Sequence, residues 1–240
     1  MEPQARKGIN PNLYTPIAIV LAGIIIGGAV LYVNSNSSQG AQAQAGQQQI
    51  AVDVSKVKTA GEPFIGKQNA PVTIAYWFDY QCPFCKQNEL QSMPQLVKDY
   101  VDTGKVRIVF KDFAFLGADS DTLGHAARAV WEVAPDKFYA WHHAIFAAQG
   151  TENTGWATTA KIRSVTASVL TAAQTDQVMQ LMQSKATTYQ QAMDADKAEG
   201  ASFGVTGTPS MIINKEMVEG AQPYAQIKTA IDTELKAAGQ

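Results

Sequence analysis

The sequence predicts an α/β fold with a helical insertion, preceded by one N-terminal transmembrane helix. Three observations predict it. A long apolar run, Ile17–Val33, lies near the start of the chain. Short apolar runs rich in β-branched and aromatic residues occur after residue 70 and again after residue 208. A long stretch of helical periodicity separates these runs, and a hydrophobic fraction of 46% is sufficient for a packed core.

The apolar run has the length of a membrane-spanning segment, because a helix of this size covers about 26 Å of the ~30 Å hydrocarbon core. Arg6 and Lys7 precede it and no positive charge follows closely. The positive-inside rule therefore predicts a cytoplasmic tail (1–14), a transmembrane signal-anchor (15–33) and an extracytoplasmic remainder. Cleavage at Ala41–Ala43 or Ala43–Ala45 is the alternative, and it too leaves the domain on the periplasmic side of the cytoplasmic membrane.

Residues 34–49 are polar, uncharged and of low complexity (NSNSSQGAQAQAGQQQ). Such a composition cannot bury enough apolar surface to fold, so it predicts a flexible linker between the membrane and a domain at 50–240. The net charge of −2 at pH 7 gives no reason to expect nucleic acid as a partner.

The domain is predicted to begin with a strand, a cysteine pair and a helix. Val72–Phe78 is typical of a buried strand, and the motif Cys82-Pro83-Phe84-Cys85 follows it. Lys86–Val101 has helical apolar spacing, and Pro94 is expected to kink this helix. A second strand is predicted at Val106–Phe110.

The rest of the domain is predicted to be a helical insertion, about residues 118–200, followed by two short strands and a closing helix. The predicted helices are 119–134, 135–149, 158–171, 175–200 and 223–238, with a loop at 151–156 and strands at 209–214 and 216–219. A β-α-β half and a β-β-α half that flank a helical insertion form a thioredoxin-type arrangement.

The chain has only two cysteines, Cys82 and Cys85, and they lie at the predicted start of a helix. The N–H groups and positive dipole end of a helix start lower the pKa of such cysteines to roughly 3.5–7.5. Cys82 can then attack a disulfide as a thiolate, and Cys85, one turn later, can resolve the mixed disulfide. Pro83 has the fixed φ that suits a first helical turn.

A zinc site and an inert cysteine pair are the alternatives. Structural zinc needs four ligands, but only His125, His142 and His143 are available, and two of these are adjacent and point in different directions on a helix. Extracytoplasmic proteins rarely keep an idle pair of neighbouring thiols. We therefore expect no metal and no cofactor.

A second motif, Gly207-Thr208-Pro209, stands just before a predicted strand. An X-Pro bond in this position can be cis or trans, and this segment alone favours neither isomer.

On these motifs the chain resembles the DsbA-like thiol:disulfide oxidoreductases, in particular the membrane-anchored bacterial group with a thioredoxin fold. The resemblance covers about residues 50–240. The matching segments are Gly66, Ala70–Ile74, Asp79–Cys85, Lys137–Phe146 and Phe203–Ser210.

The resemblance implies a role for each matching residue. Cys82 is the exposed nucleophile and Cys85 the buried resolving thiol. Pro209 is a cis-proline that faces the disulfide, and Thr208 offers backbone hydrogen bonds to an extended substrate peptide. Pro83 and Phe84, between the cysteines, are expected to contribute to substrate binding.

Two departures from the family pattern affect the expected chemistry. The family usually has an acidic residue, which assists proton transfer at the buried thiol, six positions before the first cysteine; here that position is Tyr76. Asp79 matches the family's aspartate and is a second candidate for proton transfer. Phe84 replaces the histidine of strongly oxidising relatives and cannot donate a hydrogen bond to the thiolate, so we expect a weaker oxidant.

The most consistent hypothesis is an anchored dithiol oxidase that forms disulfides in exported proteins. Its expected partners are unfolded or reduced exported proteins, the membrane, and a membrane reoxidase resembling DsbB or a vitamin K epoxide reductase-like protein. A monomer is favoured because no extra dimerisation domain is visible. The alternatives are a reductase or isomerase on the same fold, and a non-enzymatic binding module whose disulfide is structural.

Overall fold

The computed structural model describes residues 52–240. The predicted cytoplasmic tail, transmembrane helix and linker lie outside the described residues. Between residues 52 and 240, no helix combines the length and apolar character needed to cross a membrane.

Five strands form one mixed sheet in the order β1-β3-β2-β4-β5. The central strands β2 and β3 are parallel, and every other neighbouring pair is antiparallel. All but one residue of β2 is buried, because both faces of the sheet are covered, and this explains its continuous apolar run. The strands are β1 (Phe64–Ile65), β2 (Val72–Phe78), β3 (Val106–Asp112), β4 (Ser210–Ile213) and β5 (Glu216–Glu219).

The sequence did not predict β1, because two residues are too few to show a period. It predicted the other four strands, and the bounds of β2 and β5 are correct to the residue. The helices are α1 (Pro83–Gln91), α2 (Met93–Leu96), α3 (Ala118–Val133), α4 (Phe138–Ala147), α5 (Thr159–Val169), α6 (Ala172–Ser184), α7 (Ala186–Ser202) and α8 (Tyr224–Ala237).

The helix predicted at 86–101 is interrupted as Pro94 suggested. It begins at Pro83 as α1, breaks at Ser92, resumes as α2 and ends in a π-helical turn at Val97–Val101. Pro94 stands in the first turn of α2, where its missing N–H leaves no intrahelical bond unmade.

The single helix predicted at 175–200 is wrong, because the structure has two helices there. A capping box at Thr171 and Gln174 starts α6, and Lys185 leaves helical geometry (φ −112°, ψ 14°) between α6 and α7. No Gly or Pro marks this break in the sequence. Tertiary packing causes it, since α6 packs on α3, whereas α7 packs on both α3 and β3.

The larger core lies between the sheet and the helical insertion. Rings of Phe78, Phe110, Phe138 and Phe146 surround the buried His142 at centroid distances of 4.7–5.6 Å. The opposite face of the sheet holds a smaller cluster around Trp77, whose Nε1 donates to the Asp196 carbonyl at 3.0 Å.

A cluster of buried charges joins the insertion to the sheet. The guanidinium of Arg128 on α3 bonds to Asp112 at 2.8 Å, Glu62 at 3.1 Å and Asp196 at 2.5 Å. Lys111 on β3 lies 2.5 Å from Asp196 and also contacts Glu62. These contacts connect the loop before β1 with β3, α3 and α7.

Candidate active site

The cysteine pair lies where the C-terminal end of β2 turns into α1. Cys82 is the N-cap residue, with extended backbone angles (φ −68°, ψ 120°), and Pro83 opens the helix. The Cys82 N–H donates to the Asp79 carbonyl at 3.1 Å, and the Cys82 carbonyl accepts from the Lys86 N–H at 3.1 Å. The predicted position of Cys82 at a helix N-terminus is therefore confirmed.

The expectation of an exposed Cys82 is wrong for this structure. Cys82 is only 4% exposed and Cys85 is fully buried, whereas Phe84 between them is 60% exposed. The cause is the loop before β4, which lies against the cysteine: the Cys82 Sγ is 3.4 Å from the Thr208 carbonyl oxygen.

The Thr208–Pro209 peptide bond is cis, which answers the question that the sequence left open. The Thr208 hydroxyl is buried and has no partner with hydrogen-bond geometry among residues 52–240. The proximity of Thr208 lowers the pKa of Cys82 and works in the same direction on Cys85. Thr208 therefore lies against the cysteine pair through its carbonyl and keeps an unpaired hydroxyl close to it.

The two thiols have opposite pKa shifts. The pKa of Cys82 is lowered from 9.0 to about 6, first by the hydrogen bond from Cys85, against the effect of burial, and then by Thr208 and the N–H groups of Phe84 and Cys85. Burial, followed by the nearby Cys82, raises the pKa of Cys85 well above 9.0. At neutral pH the arrangement is thus a thiolate at Cys82 and a thiol at Cys85.

Asp79 holds the active-site loop in place. Its carboxylate accepts hydrogen bonds from the N–H groups of Gln81 (2.7 Å), Phe115 (2.9 Å) and Leu116 (3.1 Å), and from the Ser120 hydroxyl (2.6 Å). Four donors engage both carboxylate oxygens, so the geometry gives Asp79 a positioning role. Proton transfer by Asp79 stays a prediction.

Tyr76, the second candidate for proton transfer, is fully buried below α1. Its hydroxyl lies 3.4 Å from Asn88 Nδ2. Burial raises its pKa, and negative charge at Cys85 and Glu89 raises it further, so the phenol is neutral at physiological pH.

Sequence reasoning missed several residues that support the site. Gln149 after α4 donates from Nε2 to the carbonyls of Tyr80 (2.8 Å) and Cys82 (3.1 Å), and Gln81 Nε2 donates to the Leu116 carbonyl at 2.5 Å. Contacts from the insertion to α1 have no local sequence signal. Glu89 did have a local signal in the sequence. It is a charged residue four positions after Cys85 on the same helix face, where the helical periodicity predicts a buried side chain.

The zinc alternative finds no support in the folded domain. His142 and His143 both approach Glu89, at 3.5 Å and 3.7 Å. In the part of the chain that the structure describes, no group of three or more His, Cys, Asp or Glu side chains is arranged to hold a metal ion.

We expect alkylation of Cys82 in the reduced protein to reach half its maximal rate near pH 6, because only the thiolate reacts. Thr208→Val removes the polar hydroxyl that lowers the pKa of Cys82, so it should move this midpoint upward. Exposed Thr206 supplies the matched control, Thr206→Val, which should leave the midpoint unchanged. A wild-type midpoint near the ordinary value of 9.0 would contradict the stabilised thiolate.

A low-pKa thiolate at a helix start, a buried partner thiol and a cis Thr208–Pro209 bond, with the Thr208 carbonyl next to Cys82, define a thioredoxin-fold protein equipped for thiol–disulfide exchange. The family model described as Thioredoxin matches residues 58–233. The chain belongs to the thioredoxin family, and within it to the DsbA-like thiol:disulfide oxidoreductases.

Comparisons with individual proteins support this family assignment. Disulfide bond formation protein D of Bacillus subtilis is 28% identical over 203 residues, which cover 85% of this chain and 86% of that protein. A probable disulfide bond formation protein D of Bacillus cereus is 31% identical over 173 residues, covering 72% and 78%. The crystal structure of oxidised BdbD from Bacillus subtilis is 27% identical, covers 75% of this chain and 95% of its own, and has a TM-score of 0.68.

Proposed function

We propose that this oxidoreductase is a dithiol oxidase that introduces disulfides into exported proteins through Cys82 and Cys85. The observation that carries the proposal is the position of Cys82 at the N-cap of α1, where the N–H groups of Phe84 and Cys85 help to lower its pKa to about 6. A stabilised thiolate favours the reduced form over the disulfide, which makes the disulfide a stronger oxidant than one formed by ordinary thiols. The names of the relatives, disulfide bond formation protein D, support the same direction.

The lowered pKa of Cys82 makes the stability of the reduced protein depend on pH. The folded pKa of Cys82 lies below its ordinary value of 9.0, so the stabilisation of the reduced protein is complete above pH 9.0. It is lost as pH falls through about 6. We therefore infer that, relative to ordinary thiol–disulfide couples, the protein is a weaker oxidant in acidic than in neutral surroundings.

The reaction balances in two exchange steps. A substrate thiolate attacks Cys82 Sγ, the Cys82–Cys85 bond breaks, and Cys85 leaves with the electron pair and gains a proton. A second substrate thiolate then attacks the sulfur of the first, which forms the substrate disulfide and releases Cys82 as a thiolate. Two substrate thiols are oxidised and one enzyme disulfide is reduced.

Substrates on this proposal are unfolded, reduced exported proteins bound as extended peptides. The backbone of Thr208, beside Pro209, would supply main-chain hydrogen bonds, and the exposed rings of Phe84 and Phe115 would supply apolar contact. Main-chain pairing and apolar contact carry little sequence preference, which suits an enzyme with many substrates.

The cycle requires a reoxidant, and we propose a membrane protein resembling DsbB or a vitamin K epoxide reductase-like protein. The predicted anchor at 15–33 would hold the domain beside such a partner, on the extracytoplasmic side. The domain would act as a monomer and without a cofactor.

The proposal is tested by mixing the pre-oxidised full chain with a reduced, unfolded protein that has native disulfides. We expect substrate thiols to disappear as enzyme thiols appear, two for each enzyme molecule. No transfer of oxidising equivalents would refute the oxidase.

A further inference from the structure

The structure contains a buried carboxylate that the proposed chemistry has not used. Glu89 on α1 is fully buried. Neither of its oxygens meets hydrogen-bond geometry with any of the residues described. A carboxylate without close partners in the interior is costly, so its retention there calls for a function.

Glu89 lies on the same face of α1 as the resolving thiol. Cys85 and Glu89 are four residues apart and both are fully buried. Side chains at this spacing are neighbours on a helix, about 5–6 Å apart at Cβ. The Tyr76 hydroxyl lies beside them, against Asn88 of the same helix.

Two imidazoles lie on the other side of the carboxylate. His142 Nε2 is 3.5 Å from Glu89 Oε2, and His143 Nδ1 is 3.7 Å from Glu89 Oε1. His142 is buried, and its Nδ1 lies 2.9 Å from the Tyr80 hydroxyl. The side chain of His143 is 41% exposed and lines a surface cavity with Tyr139 and Lys98. Glu89 therefore shares a helix face with the buried thiol and approaches, through His143, a group that reaches solvent.

Cys85 needs such a group, because its proton must move in each half of the cycle. Burial raises the pKa of Cys85 well above 9.0, so it holds its proton at neutral pH and attacks only after losing it. Asp79 is not available for this role, because both of its carboxylate oxygens already accept hydrogen bonds from four donors. The family's acidic position is Tyr76, whose pKa is raised and which cannot serve as the base.

We propose that Glu89 exchanges the proton of Cys85 and that His143 passes it between Glu89 and solvent. This inference rests on the proposed function, in which Cys85 resolves the mixed disulfide. Although burial raises the pKa of Glu89, the neighbouring imidazoles of His142 and His143 bring it below its usual value, so the carboxylate is ionised and able to accept a proton. The nearby Glu89 carboxylate raises the pKa of His143, which makes His143 a good temporary holder of the proton.

The proton balances in both directions. When the enzyme is reoxidised, Cys85 gives its proton to Glu89, the thiolate attacks Cys82 Sγ, and the partner's sulfur leaves with the electron pair. Glu89 then passes the proton to His143. When a substrate reduces the enzyme, the departing Cys85 thiolate takes the proton back along the same groups.

The titratable groups that face Glu89 come from two elements: β2 with the loop after it, and α4. They are Tyr76, Tyr80, Tyr139, His142 and His143. Cys85 precedes Glu89 by one turn on the same face of α1. Lys98 and Asp102 face His143 from the far side of the surface cavity.

The test uses the reduced full chain and oxidised glutathione, which separate the two steps. Cys82 first forms a mixed disulfide with glutathione, and Cys85 then resolves it to Cys82–Cys85 and reduced glutathione. Acid quenching and mass spectrometry at successive times measure both rates. For Glu89→Gln we expect an unchanged first step and a second step slowed by about 100-fold at neutral pH, within the usual contribution of a positioned base.

The dependence on pH separates a proton relay from a structural role. Without the relay the second step must await thiolate formed by hydroxide, so its rate should rise about tenfold per pH unit until Cys85 ionises. The deficit of Glu89→Gln should therefore shrink as pH rises, and Glu89→Asp, which keeps the carboxylate, should recover part of the rate. A deficit that is the same at every pH would assign Glu89 a structural role only.

Surface and insertion residues supply the controls. Glu132→Gln and His125→Asn repeat the two types of substitution on α3, away from the cysteines. Both variants should resolve the mixed disulfide at the wild-type rate. His143→Asn, on a partly exposed position, should show a smaller deficit of the same pH dependence. If Glu89→Gln fails to fold, as judged by near-UV circular dichroism, the His143→Asn variant tests the proton relay in its place.

Resolution at the wild-type rate in folded Glu89→Gln, or in His143→Asn if the first variant is unfolded, would overturn the relay. A wild-type mixed disulfide that never resolves would instead overturn the proposed function, so the two failures are distinguishable.

Discussion

Cys82→Ser should abolish transfer of oxidising equivalents to a reduced protein while leaving the fold intact. The expected loss is about 10⁴-fold or more, the order found when the nucleophile of a covalent catalyst is removed. Serine is close in size to cysteine but has no accessible anion at neutral pH, and Cys82 sits at a helix N-cap, where serine is itself favoured. The measurement is the thiol-transfer rate, with near-UV circular dichroism as the check on folding.

Cys85→Ser is the matched control, because it removes the second thiol from the same helical turn. It should stop turnover but let Cys82 react, so a covalent adduct between enzyme and substrate should accumulate on a non-reducing gel. Cys82→Ser should form none. Retained activity in Cys82→Ser together with lowered stability would instead indicate a structural disulfide in a binding module.

Arg128→Met should strongly destabilise the folded domain. The guanidinium bonds to Asp112, Glu62 and Asp196, and its loss leaves those carboxylates buried with too little positive charge. Breaking a buried ion pair in this way costs about 3–5 kcal/mol. The midpoint of thermal unfolding should fall by roughly 6–20 °C for a domain of this size.

Arg163→Met tests whether burial causes the large loss of stability that we expect for Arg128→Met. Arg163 also has an ion pair at 2.5 Å, with Asp176, but both side chains are at least half exposed. Solvent screening limits such a pair to about 1 kcal/mol or less. Equal losses of stability in the two variants, measured by denaturant unfolding, would show that the buried cluster has no special role in joining the insertion to the sheet.

The sequence predicted the elements whose patterns are local. β2 is a continuous apolar run, and α1 starts at the Cys82-Pro83 step, so their identities follow from composition and from proline geometry. The Thr208–Pro209 motif indicated a strand start but not its isomer, since local sequence does not decide between cis and trans.

Features that depend on distant packing could not be predicted in this way. The break at Lys185 has no Gly or Pro and arises from two helices docking at different places. Arg128 meets Glu62, which is 66 positions away, and Gln149 meets Cys82 across 67 positions. The low exposure of Cys82 depends on the loop before β4, more than a hundred residues later. Each is a tertiary contact without a periodic or motif signal.

The equilibrium of the full chain with glutathione tests the oxidase most directly, with Cys82→Ser as the unreactive control. The low pKa of Cys82 and the absence of histidine from its dipeptide predict a reduction potential above the thioredoxin level of about −270 mV but below the roughly −120 mV of the strongest oxidants. A potential at or below about −270 mV would contradict the oxidase and favour a reductase on the same fold.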